Sequence, residues 1–186
     1  MVRSSGTTAV VTPPTGPAFA VAVRSERRRL IELRTITIQV RGPATDIRDA
    51  TVRFHHRGQV RRTGLAPRLR GRESFAARPV LDRLLADGEL EAASLALDFT
   101  RFELRPRDGV WCVTLELMGG SHVRTRLPPS SHYVRLTEDQ LDALLATVRV
   151  LHARLPGHAP CVLPAPPIPD PARRVRRAES HLPRRR

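Results

Sequence analysis

Histidine, cysteine and arginine carry whatever chemistry this chain can do. His55 and His56 are adjacent, His122 and His132 lie ten residues apart, and Cys112 and Cys161 are the only thiols. Two imidazoles ligate a metal or relay a proton only where both rings reach one point. Neighbouring residues of a strand point to opposite faces, so His55 and His56 cannot share an ion from a regular strand. No acid cluster or cysteine accompanies His122 and His132, and no metal is expected there either. Cys112 would need a base within reach to act as a nucleophile and reads as an inert thiol. Ser121, in Gly119-Gly120-Ser121-His122, lacks the Gly-x-Ser-x-Gly spacing of a nucleophile elbow. Glu103 and Glu116 share a predicted strand face, but arginine neighbours there would keep both ionised, as salt-bridge partners rather than acids. Without lysine no Gly-Lys-Ser/Thr phosphate loop can exist, and no Gly-x-Gly-x-x-Gly occurs. The expectation is no catalytic residue, no cofactor and a chain that leans away from being an enzyme.

Arginine is the positive signal. All 32 basic side chains are arginine, against 18 acidic ones, for a net charge of +14 and a pI near 11.7. GC-rich coding explains that choice without selection. Its chemical consequence holds regardless, because every cation is a planar fork that grips phosphate or carboxylate through two parallel bonds. Arg61, Arg62, Arg68, Arg70 and Arg72 cluster in one segment, Arg124 and Arg126 lie on a predicted strand, and Arg173, Arg174, Arg176 and Arg177 fall near the end. Together they predict recognition of an anionic partner, with nucleic acid first. Binding would be independent of base sequence, because no RNA-binding aromatic pair, helix-turn-helix or zinc finger is present. Two other readings stay open. One is a small-molecule site or small enzyme with a pocket between sheet and helix involving His56, His122, His132 and Tyr133. The other is a homo-oligomeric scaffold built on an exposed sheet edge. Contact of the basic tail with a membrane surface is a further option, although no amphipathic helix adjoins it.

The elements that must position these residues follow from composition and pattern. At 40% hydrophobic and 27% charged, the chain can bury a core. No apolar run reaches the roughly 18 residues of a membrane-spanning helix, and Pro13, Pro14 and Pro17 break up a secretory leader, so the cytoplasm is the expected compartment. Thr137-Glu138-Asp139-Gln140 is a capping box, and Leu141, Leu144, Leu145, Val148, Leu151 and Leu155 recur at helical spacing, predicting a helix over 138–154. Phe102 and Leu104, the turn Asp108-Gly109, and Trp111, Val113, Leu115 and Leu117 predict a hairpin with Cys112 opposite Arg105. Residues 121–127 read as a third strand after a three-residue Gly119-Gly120-Ser121 loop, which would put Arg124 opposite Glu116. Ile36, Ile38 and Val40 with Val52, Phe54 and His56 read as another hairpin. Residues 24–33 read as a short helix, 58–75 as a loop, and 79–85 as a helix opened by Pro79.

The fold class is therefore α+β: an antiparallel sheet of about five strands, covered on one face by the long helix and shorter ones. Residues 1–18 are expected to be a disordered arm, 19–155 a single domain, and 156–186, with eight prolines and seven arginines, a disordered tail. From Phe99 to Leu155, with GGSHVRTRLPPSSHYVRLTEDQ at its centre, the chain resembles bacterial families catalogued only as domains of unknown function. The resemblance implies no activity and no site residues.

Overall fold

The computed structural model describes residues 3–155 except 15, 28 and 59–61, with the backbone alone for 3–7. Arg61 and the whole segment 156–186, including Cys161, Arg173, Arg174, Arg176 and Arg177, lie outside the described residues. The elements run β1 (Arg3–Val11), β2 (Phe19–Arg27), β3 (Ile31–Ala44), β4 (Thr51–Arg57), β5 (Gly64–Arg70), α1 (Arg78–Leu85), α2 (Glu89–Ser94), β6 (Phe99–Arg107), β7 (Val110–Arg126), β8 (Pro129–Tyr133) and α3 (Glu138–Arg154). The strands form one sheet in the order β1-β2-β3-β7-β6-β4-β5, with β8 beside the outer half of β7, and every pairing is antiparallel. Among the described residues no helix is long and apolar enough to cross a membrane.

Alternation sorts the sheet into two faces. Ile38, Leu115, Phe102 and Phe54 lie in register across four strands, as do Val40, Val113, Leu104 and Val52, and all are buried. Leu81, Leu84, Leu90, Leu144, Val148 and Leu151 of the three helices join the same core. Each such side chain removed from water contributes roughly 1.5–3 kcal/mol before chain entropy is counted. The start of α3 is fixed by the capping box: Gln140 N donates to Thr137 Oγ1 at 3.2 Å, and Thr137 N donates to Gln140 Oε1 at 3.3 Å. The opposite face of the sheet presents Arg53, Arg101, Glu103, Arg105, Thr114 and Gln39.

The sheet has eight strands rather than about five, and the additions have physical reasons. Residues 3–11, expected within a disordered arm, form β1, whose β-branched Thr7, Thr8, Val10 and Val11 pair along β2. Residues 24–27 and 31–33 are not helical; they belong to β2 and β3, with Arg27 opposite Glu32. Cross-strand pairing overrides the helical propensity of that arginine- and glutamate-rich stretch. The expected loop 58–75 contains β5, an edge strand that tolerates Pro67. β3 and β4 do not form a hairpin, because β7 and β6 lie between them.

Gly119-Gly120 is not a turn either. β7 runs through it as one strand, bulging between the pairs Ile36–Leu117 and Arg34–His122. Arg34 and Ile36 are two apart and share a face of β3, so their partners share it too. His122, Arg124 and Arg126 consequently stand on the side of Leu117, not on the side of Glu116. Arg124 faces Glu32 and Ser131, not Glu116.

Candidate functional site

Glu103 is the centre of the helix-free face. Its side chain is 2% exposed, yet no helix covers it: it lies beneath arginines. Arg101 Nε donates to Glu103 Oε2 at 3.0 Å, with a second, very close bond from Arg101 Nη2 to Oε1. Arg53 Nε donates to Oε2 at 3.2 Å from the neighbouring strand, and Arg105 Nε stands 3.5 Å from Oε1. Three strands are not needed for this arrangement. Arg101 and Arg105 flank Glu103 two residues away on β6, and the β4 register puts Arg53 directly opposite it.

Burial pushes the Glu103 carboxyl up, but the hydrogen bond from Arg101 and the charges of Arg101, Arg105 and Arg53 outweigh it and hold the pKa below the usual carboxylate value. Burial in turn lowers Arg105, against the pull of Glu103. One carboxylate cannot satisfy three five-donor guanidiniums. The outer strand adds more charge: Arg68 is directly opposite Arg53, and Arg70 is opposite Thr51 on the same face. Neither Arg68 nor Arg70 has an ion pair among the described residues. Arg53, His55, Arg68, Arg70, Arg101 and Glu116 line an open hollow of about 580 Å³. Its forks point into solvent, where they can grip phosphate, sulfate or carboxylate in bidentate fashion.

The other expected anion-binding residues are dispersed. Arg62 is committed to structure, donating to Leu97 O at 3.1 Å and Leu95 O at 3.3 Å and pairing closely with Asp98. Arg72 is exposed, 4.0 Å from Asp49. Arg124 and Arg126 lie on the other side of the sheet, beyond the bulge.

The four residues of the alternative pocket do not converge. His56 Nε2–H donates to Leu97 O at 2.9 Å and its ring packs on Phe99, with centroids 4.3 Å apart. His122 bonds Ser131 Oγ at 2.7 Å and is opposite Tyr133, whereas His132 is opposite Val123 on the reverse face of β8. Among the described residues no cluster of His, Cys, Asp and Glu is close enough to hold a metal ion. Cys112 is buried opposite Arg105.

From sequence alone, Arg53, Arg101 and Arg105 carry no binding role, and arginine neighbours are expected only to keep Glu103 and Glu116 ionised. The alternation Arg101-Glu103-Arg105 was a visible signal. Arg53 was not, because its contact with Glu103 spans 50 residues.

Residues 1–155 match the family model described as protein of unknown function (DUF3156). The resemblance carried by 99–155 is thus to a family whose model also spans β1 to β5. No curated protein and no solved structure matches the chain.

Proposed function

The chain belongs to the DUF3156 family, and we propose that it is a non-catalytic binding protein holding a polyanion, nucleic-acid phosphate first, across the helix-free sheet face. The observation that carries this reading is the directly opposed pair Arg53–Arg68 beside Arg70, Arg101 and Arg105, with Glu103 the one buried acid among them. Like charges facing across strands destabilise a sheet unless a counter-charge lies between them. Glu103 supplies that charge for the inner arginines, and an incoming phosphate would supply it for Arg68 and Arg70. The face carries no exposed aromatic ring for base stacking, so the reading is of backbone contact without sequence readout. A pocket between sheet and helix has less support, because Leu144, Val148 and Leu151 fill that space.

The test is binding of the full chain to unrelated DNA and RNA oligomers across a salt series, beside Arg68→Ser/Arg70→Ser. The basic segment 156–186 is common to both proteins and cancels. The wild type is expected to give a steep log–log salt dependence, and the double variant a slope shallower by about 1.4–1.8, two phosphate contacts at roughly 0.7–0.9 each. Equal slopes for the two proteins would sink the assignment to this face.

A further inference from the structure

The sheet ends in a tip of a different kind. The turn leading into β3 and the Leu127-Pro128 turn between β7 and β8 lie side by side, with Arg126 N donating to Leu30 O at 2.8 Å and Ile31 opposite Thr125. Three aliphatic side chains stand out from it: Leu127 is 74% exposed, Leu30 48% and Ile31 44%. The turn that carries Leu127 is braced, since Thr125 Oγ1 donates to Pro128 O at 2.6 Å and bonds Ser130 Oγ at 2.7 Å. Exposed Arg29 and Arg126 adjoin Leu30 and Leu127 in the chain, and exposed Arg124 lies two residues before Arg126 on β7. Glu32, opposite Arg124, is already held by Arg27 at 2.8 Å and Arg34 at 3.1 Å. Arg124 and Arg126 have no ion pair among the described residues.

We propose that this tip docks on an anionic lipid bilayer. Leu30, Ile31 and Leu127 enter the headgroup–acyl boundary, while Arg124 and Arg126 meet headgroup phosphates. Two observations select this partner. The apolar group is made of exposed aliphatic chains at the end of the sheet, with Ile31 at the edge of a hollow of about 520 Å³ that Arg124 and Arg126 also line; such chains fit a fluid apolar surface and offer no ring for a nucleobase to stack on. Arg29 and Arg126 are the chain neighbours of Leu30 and Leu127, and each exposed basic residue beside the apolar group adds to attraction for anionic headgroups. The proposal stands apart from the polyanion reading, because it concerns the other end of the sheet.

The experiment is flotation of the full chain with vesicles of phosphatidylcholine alone and with about 30% phosphatidylserine, a typical anionic mixture. The wild type is expected to float with the anionic vesicles. Leu30→Ser/Leu127→Ser is expected to weaken partitioning about tenfold, and Arg124→Ser/Arg126→Ser about tenfold or more at low salt. All four side chains are solvent-facing, and an unchanged melting temperature confirms that the variants fold. Leu127→Trp separates the tip from the basic segment 156–186: its emission should shift to the blue and be quenched by acyl-brominated lipid, over a constant signal from Trp111, which is 2% exposed. The proposal is overturned if the wild type does not float. It is also overturned if the leucine variant floats like the wild type and the introduced tryptophan is not quenched.

Discussion

The arginines over Glu103 and those at the sheet tip are the same chemical group set against different backgrounds. On the helix-free face they lie across paired strands, around a carboxylate that organises them, with no exposed large apolar side chain among them. At the tip they adjoin the exposed Leu30, Ile31 and Leu127. Charge alone attracts any polyanion; what stands between the charges decides which one is held. The comparison also separates stability from binding. Removing the inner arginines exposes a buried acid, whereas Arg124 and Arg126 support nothing beneath them.

The bulge at Gly119-Gly120 is what sets Arg124 and Arg126 on the side of the sheet opposite Arg53 and Arg101, so disturbing it is the strongest way to break the comparison. Gly120 has φ +81°, and a Cβ there would collide with Ile36 Cδ1. Left-handed backbone strain plus displacement of a packed isoleucine should make Gly120→Ala cost about 2–3 kcal/mol, read from the denaturant midpoint. If the strand relieves the strain by losing a residue from the bulge, every side chain of its outer half changes face. Vesicle flotation should then fall while the oligonucleotide salt slope is kept. A variant as stable as the wild type would mean that the bulge is not under this constraint.

That bulge also marks where sequence reasoning stops. Local signals were legible: the capping box at Thr137, the Asp108-Gly109 turn with its two positive φ angles, and the pair Arg105–Cys112 all follow from neighbours a few residues apart. A glycine pair between two alternating runs reads as a turn, because turns are its commonest use. Only the partner strand, supplied by residues 31–34, makes it a bulge. The edge strands hid for a related reason. β1 and the outer part of β2 are small or charged in sequence rather than alternating. The binding face was half visible: β6 carries its own Arg-x-Glu-x-Arg pattern, but the pairing that brings Arg53 and Arg68 beside it is long-range.

Glu103→Gln sharpens the comparison next. The acid is buried, but its partners are between 31% and 54% exposed, so water relieves part of their loss. About 2 kcal/mol of destabilisation is expected, below the 3–5 kcal/mol of a fully buried broken pair. Glu32→Gln, which removes the corresponding acid beside the tip, should cost visibly less. Linkage adds a second reading. The folded pKa of Glu103 is depressed, so its contribution is fully present above the unfolded carboxylate value near 4.3 and is lost as pH falls through the folded value. The stability difference between wild type and Glu103→Gln should therefore shrink in acid. A difference that stays constant down to pH 2, or about there, would mean that the carboxylate charge is not what holds the arginines.

The smallest effect tests whether the helix-bearing side behind the arginine face responds to pH independently of both binding regions. Burial lowers the pKa of His56, outweighing its bond to Leu97 O, and the charge of Arg62 lowers it further. Burial likewise lowers His152, against a hydrogen bond from its ring to the Ala18 backbone. Each has a buried ring nitrogen without a partner among the described residues, Nδ1 in His56 and Nε2 in His152, which a proton would leave charged and unsolvated. Below about pH 6.5 the unfolded chain binds these protons more readily than the folded one, so stability is full above that value and declines as pH falls toward the folded pKa values. Denaturant midpoints measured from pH 7.5 to about 5 should fall for the wild type and fall less for His56→Gln. Neither histidine lies at the tip, so vesicle flotation by His56→Gln should match the wild type at every pH. If instead flotation changes with His56, the core behind the arginine face and the tip are mechanically coupled, and the two regions cannot be treated as separate binding devices.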